Sequence, residues 1–119
     1  MSQKKFSYGK ENGCYLTTAC VQARGLLDDC DELQTLRTFR DGYLAKMPTG
    51  EMDIRKYYDI SPRIVEIIDR LPDAREIWKT VYSELVDPCV RLIKKGRNEE
   101  TYAHYKQYAL YLYNEYVGA

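Results

Sequence analysis

The chain has 119 residues, enough for one domain that buries roughly two-thirds of the surface its unfolded form exposes, with no need of a metal or disulfide. Its 18 Lys+Arg balance 18 Asp+Glu, and this zero formal charge argues against nucleic acid as the main partner, because phosphate binding rests on a cationic excess. With 45% hydrophobic and 30% charged residues it reads as globular rather than disordered, and no apolar run approaches the length of a membrane span.

Residues 1–13 read as a flexible arm, with Lys4, Lys5 and Lys10 and only Phe6 and Tyr8 to anchor it. This start carries no apolar signal core, so a cytoplasmic protein with reduced thiols is expected. Cys14 to Val21 is apolar apart from Thr17 and Thr18 and predicts a short helix, followed by a connection marked by Gly25. Asp29 with Glu32 resembles a capping box. The helix it opens carries Leu33, Leu36, Phe39, Tyr43 and Leu44 on one face.

Met47-Pro48-Thr49-Gly50 closes that helix and opens another, with Thr49 as N-cap and Ile54, Tyr57 and Tyr58 on its apolar side. Ser61-Pro62 predicts a further helix start, with Ile64, Ile67, Ile68 and Leu71 as its stripe and Pro72 as its stop. Asp73 and Glu76 repeat the capping-box pattern. From there Ile77, Trp78, Val81, Tyr82, Leu85, Cys89 and Leu92 continue one face as far as Gly96. Pro88 lies inside this stretch and removes the hydrogen bond to the Glu84 carbonyl, which predicts a kink near Glu84 to Asp87. Asn98 is the expected cap of a last, Tyr-rich helix running to about Val117. The expected fold is therefore all-α: a compact bundle of five or six helices, with residues 14–119 forming a single helical domain.

Arg40 conflicts with its surroundings. It falls on the face formed by Leu36, Tyr43 and Leu44, so its guanidinium must lose water and find acceptors. Asp41 points about 100° away on the same helix, which directs the search to another segment. The backbone near Thr17-Thr18 and the carboxylates Asp53 and Asp59 are the candidates. A structural buried arginine is favoured over a ligand-binding one. Arg37, three residues earlier, could join Arg40 in forking a carboxylate or phosphate, or could pair with Asp41 at the surface, and the surface pair is favoured.

The four cysteines, Cys14, Cys20, Cys30 and Cys89, show no C-x-x-C spacing, and the chain has 1 histidine, His104. No metal and no cofactor are expected, and small buried hydrophobe is the default reading of each thiol. Cys14 is the candidate nucleophile, lying near a helix start where backbone N–H groups favour a thiolate.

Of 12 tyrosines, Tyr102, Tyr105, Tyr108, Tyr111, Tyr113 and Tyr116 fall in the last helix. Tyr102, Tyr105, Ala109, Leu112, Tyr113 and Tyr116 make a core-facing stripe. Tyr111 lies opposite, with His104, Gln107 and Asn114, and Tyr108 sits at the border. Aromatics spanning this much of one circumference suggest a cover, either the arm or a second copy, and Tyr108 and Tyr111 are the candidate interface.

The motifs Cys14-Tyr15-Leu16, Thr17-Thr18-Ala19, Glu32-Leu33 with Leu36-Arg37, Phe39-Arg40-Asp41, Tyr43-Leu44, Gly50, Tyr57-Tyr58 and Ser61-Pro62 occur in an order that resembles the bacterial Cys-Phe-Ile box (CFI-box) C-terminal domain family, here as a single-domain version. The resemblance covers about residues 14–68. Tyr15-Leu16 replaces the Phe-Ile of the box, Cys20 stands where longer members have alanine, and the segment from Asp73 onward lies outside the domain. The resemblance implies a shared set of Cys14, Arg37, Arg40, Asp41, Tyr57, Tyr58 and Ser61, and it brings no biochemical activity. The chain is thus expected to be a protein-interaction or structural module rather than an enzyme, with no nucleic acid or membrane partner and a weak homodimer as a possibility. A thiol enzyme or sensor centred on Cys14 with Arg37 and Arg40, and an anionic-ligand binder using the arginine pair, are the alternatives.

Overall fold

The computed structural model describes residues 15–26 and 30–118, and every regular element among them is helical. In chain order these are α1 (Tyr15–Ala23), α2 (Asp31–Gly42), a 3₁₀ turn (Leu44–Lys46), α3 (Gly50–Asp69), α4 (Ala74–Val81), a π turn (Tyr82–Val86), α5 (Asp87–Lys94), α6 (Asn98–Leu112) and a second π turn (Tyr113–Val117). The arm expected over residues 1–13 lies outside the described residues.

Helix α1 is the hub, packing against α2, α3, α4 and the first π turn. All six residues from Leu16 to Val21 are buried, so this short helix is covered on every side. Leu33 and Leu36 of α2, Ile64 and Ile68 of α3, Trp78 and Val81 of α4, Leu85 of the π turn and Leu112 of α6 close around it. Full burial of each such aliphatic side chain contributes about 1.5–3 kcal/mol. Thr18 is the exception within α1. Its hydroxyl is buried and has no hydrogen-bond partner among the described residues. Thr18→Val, which exchanges that hydroxyl for a methyl of similar shape, should therefore raise unfolding free energy by about 1 kcal/mol in a urea titration. A loss of stability would show that the hydroxyl is bonded in solution.

Two glycines end helices in the left-handed region. Gly25 (φ 79°) follows α1 and Gly96 (φ 77°) follows α5. Each completes a Schellman motif: Leu26 N–H reaches Val21 O and Arg97 N–H reaches Leu92 O, both at 2.9 Å. Gly96 thus terminates its helix as its sequence context indicates.

Several expected boundaries move. Ser61-Pro62 does not start a helix; α3 runs through it from Gly50 to Asp69. Ile60, Ile64 and Ile68 share one core-facing side across the proline, and that packing outweighs the hydrogen bond Pro62 cannot make. Asp29 lies outside the described residues, and α2 begins after Cys30 without a side-chain cap. Glu32 is instead engaged by Tyr82, whose hydroxyl donates to its Oε2 at 2.7 Å. Thr49 and Asp73 precede α3 and α4 as expected, but neither side chain caps its helix. Asn98 is the first residue of α6 rather than its cap, which is Arg97.

Polar ties hold the elements in register. Trp78 Nε1–H donates to Asp69 Oδ1 at 2.8 Å across the α3–α4 corner. Lys94 meets Asp31 at 2.6 Å, joining α5 to α2. The Arg24 guanidinium lies 4.5 Å from the centroid of the Tyr82 ring. Burial and the bond to Glu32 push the Tyr82 phenol up to about 12, while that same bond is the main cause holding the Glu32 carboxyl below its usual range.

Candidate functional site

Pro88 determines where the polar chemistry gathers. Having no N–H, it cannot bond the Glu84 carbonyl four residues back. Upstream, the Asp87 N–H reaches Tyr82 O across the five-residue spacing of the π turn. The Glu84 carbonyl is satisfied from another helix, by His104 of α6, whose Nε2 lies 2.7 Å away. A carbonyl only accepts, so Nε2 carries the proton. One turn further along α6, the Tyr108 hydroxyl donates to Glu84 Oε1, also at 2.7 Å. Burial, reinforced by the Glu84 carboxylate, pushes the Tyr108 phenol well above its usual range.

The aromatic groups of α6 continue outward from this junction. His104 stacks on Tyr108 with ring centroids 6.3 Å apart, and Tyr108 meets Tyr111 at 5.4 Å with the planes tilted by 50°. Glu84, His104, Gln107, Tyr108 and Tyr111 line an open recess of about 370 Å³ between the π turn and α6. Tyr111 is 53% exposed and Leu110 beside it 38% exposed, so the recess opens on an apolar stretch of surface. Tyr105, Tyr108, Tyr113 and Tyr116 pack partly against the core around buried Ala109 and Leu112. Tyr108 is thus the border residue, and Tyr111 the outward one.

The candidates on α2 resolve differently. Arg40 pairs with Asp41, the neighbour whose angular offset argued against it, through Nε–Oδ1 at 2.8 Å and a second bond at 3.2 Å. The angular offset of neighbouring helical residues constrains Cβ positions, but the long arginine stem bends across it and the head meets Asp41 at the edge of the core. This bond holds the Asp41 carboxyl below its usual range. Arg37 is half-buried on the same helix. Asp53, one of the carboxylates considered for Arg40, accepts a hydrogen bond from the Tyr102 hydroxyl and lies 3.6 Å from Lys106 Nζ.

Cys14 lies outside the described residues, as do the side chains of Tyr57 and Tyr58, whose backbone belongs to α3. Cys20 and Cys89 are buried in the core, which disfavours their thiolates; the Cys89 thiol is pushed up to about 12. Burial is also the main cause raising the half-buried Cys30 thiol. Among the described residues no three His, Cys, Asp or Glu side chains converge as a metal site would require.

Glu84 is the member of the site that was not singled out from sequence. The signal was present: Pro88 orphans its carbonyl, and the single histidine sits on the outward side of the last helix with Gln107 and Tyr111. Comparison of the chain with protein-family models, with curated proteins and with solved structures finds no match.

Proposed function

We propose that this protein is a helical interaction module whose recognition surface is the outer face of α6, and that a second copy of the chain is one occupant of that face. The observation that carries this is the open recess of about 370 Å³ with half-exposed Tyr111 at its rim. Tyrosine buries a large ring at low entropic cost and is enriched at contact surfaces. Net charge of zero does not oppose association. The π turn before Pro88 supports a bend in the α4–α5 rod that presents Glu84 to α6. Long-range order of short motifs over residues 14–68 supports a place beside the CFI-box family, which adds no activity to this reading. The arginine-pair alternative draws less support, because Arg40 is engaged by Asp41; the thiol alternative rests on Cys14, which lies outside the described residues.

Sedimentation of wild type and of Tyr111→Glu over a concentration series tests this. Wild type should associate weakly and the variant should remain monomeric. Tyr111 is the better probe than Tyr108, whose replacement would also break the internal bond to Glu84. A wild type that stays monomeric at high concentration overturns the second copy as occupant, and a variant that still associates moves the interface off α6.

A further inference from the structure

We infer that the recess between the π turn and α6 receives an organic cation, an alkylammonium head such as a lysine or methylated-amine group. This deepens the interaction reading by naming the chemistry the surface selects. Two of the hydrogen-bond donors that would draw an anion are already committed: His104 Nε2–H to the Glu84 carbonyl and the Tyr108 hydroxyl to Glu84 Oε1. The donors left, the Gln107 amide and the Tyr111 hydroxyl, are neutral, whereas the formal charge and the aromatic faces of the recess favour a cation. Glu84 supplies a carboxylate whose Oε1 takes the Tyr108 proton and whose second oxygen has no hydrogen-bond partner among the described residues. Tyr108 and Tyr111, tilted by 50° with centroids 5.4 Å apart, form a corner of two π systems whose faces attract cations.

Among the described residues, no lysine or arginine lines the recess. The nearest base on α6, Lys106, is turned toward Asp53 and lies 4.7 Å from the centroid of the Tyr102 ring. That contact shows the same ammonium–tyrosine–carboxylate chemistry operating between α6 and α3. At about 370 Å³ the recess is near the lower end of ligand-site volumes, which suits a head group rather than a large ligand.

The test titrates the full chain with choline chloride and, separately, with 3,3-dimethylbutan-1-ol, the uncharged carbon isostere of choline, with sodium chloride as ionic control. Amide NMR shifts report binding. Choline should give saturable shifts centred on Glu84, His104, Gln107, Tyr108 and Tyr111, and bind on the order of tenfold more tightly than the alcohol. Glu84→Gln and Tyr111→Ala, each checked by a thermal melt, should each weaken choline by several-fold. Equal binding of the alcohol, choline shifts no larger than those of sodium chloride, or unchanged affinity in both variants would each overturn the inference. Self-association is measured without ligand, so failure here leaves the interaction reading to stand or fall on sedimentation.

Discussion

Gly50→Ala is expected to destabilise the protein by about 1–3 kcal/mol, the range for a side chain forced into occupied space. Gly50 is buried at the start of α3, and a Cβ there would overlap the carbonyl oxygen and carbon of Leu44 in the preceding 3₁₀ turn. The obstacle is backbone, so no side chain can swing aside; the turn or the helix must shift. Helix propensity alone predicts the reverse, since alanine is favoured over glycine by about 1 kcal/mol inside a helix. Gly42, at the end of α2, supplies the control. Nothing lies within 4 Å of a Cβ built there, and its φ is not in the left-handed region. Gly42→Ala should therefore be neutral or stabilising by up to about 1 kcal/mol. Urea midpoints of the two variants should move in opposite directions. A Gly50→Ala midpoint at or above wild type would mean that the 3₁₀ turn does not sit against α3 in solution.

Truncating Leu85 should cost still more, about 2–5 kcal/mol for Leu85→Ala. Leu85 lies in the first π turn, is fully buried and belongs to the cluster around α1. Its removal leaves a cavity in the turn that also presents Glu84 to α6. Leu110→Ala is the comparison, because Leu110 is exposed on α6 and its truncation should change stability by no more than about 0.5 kcal/mol. Thermal or urea unfolding of both variants separates them. If Leu85→Ala behaved like Leu110→Ala, the π turn would not be packed as described.

Much of the helical layout was legible because amphipathic stripes survive in the sequence. Leu33, Leu36 and Phe39 of α2, and Ile64 and Ile68 of α3, are buried where their spacing puts them. Helix α1 was the harder element. With Leu16 to Val21 covered on every side, it has no polar face, and periodicity carries no information there. Ser61-Pro62 misled because local start signals were weighed without the isoleucines that continue one face across them. The Arg40–Asp41 bond was not legible for a geometric reason: a radial projection treats side chains as spokes, while a guanidinium on a flexible stem reaches the next residue. At the candidate site, His104, Tyr108 and Tyr111 could be placed from helical spacing alone. Glu84 was half legible: Pro88 orphans its carbonyl in sequence, but the bonds from His104 and Tyr108 depend on the crossing of the π turn with α6, a long-range contact that no local pattern encodes.

If the outer face of α6 is where copies of this protein meet, a dilution series of amide NMR spectra will register it there. Glu84, His104, Gln107 and Tyr111 should shift with protein concentration as one group, while Met52, exposed on α3, should not. Concentration-dependent shifts centred on Met52, with the α6 residues unmoved, would contradict the account.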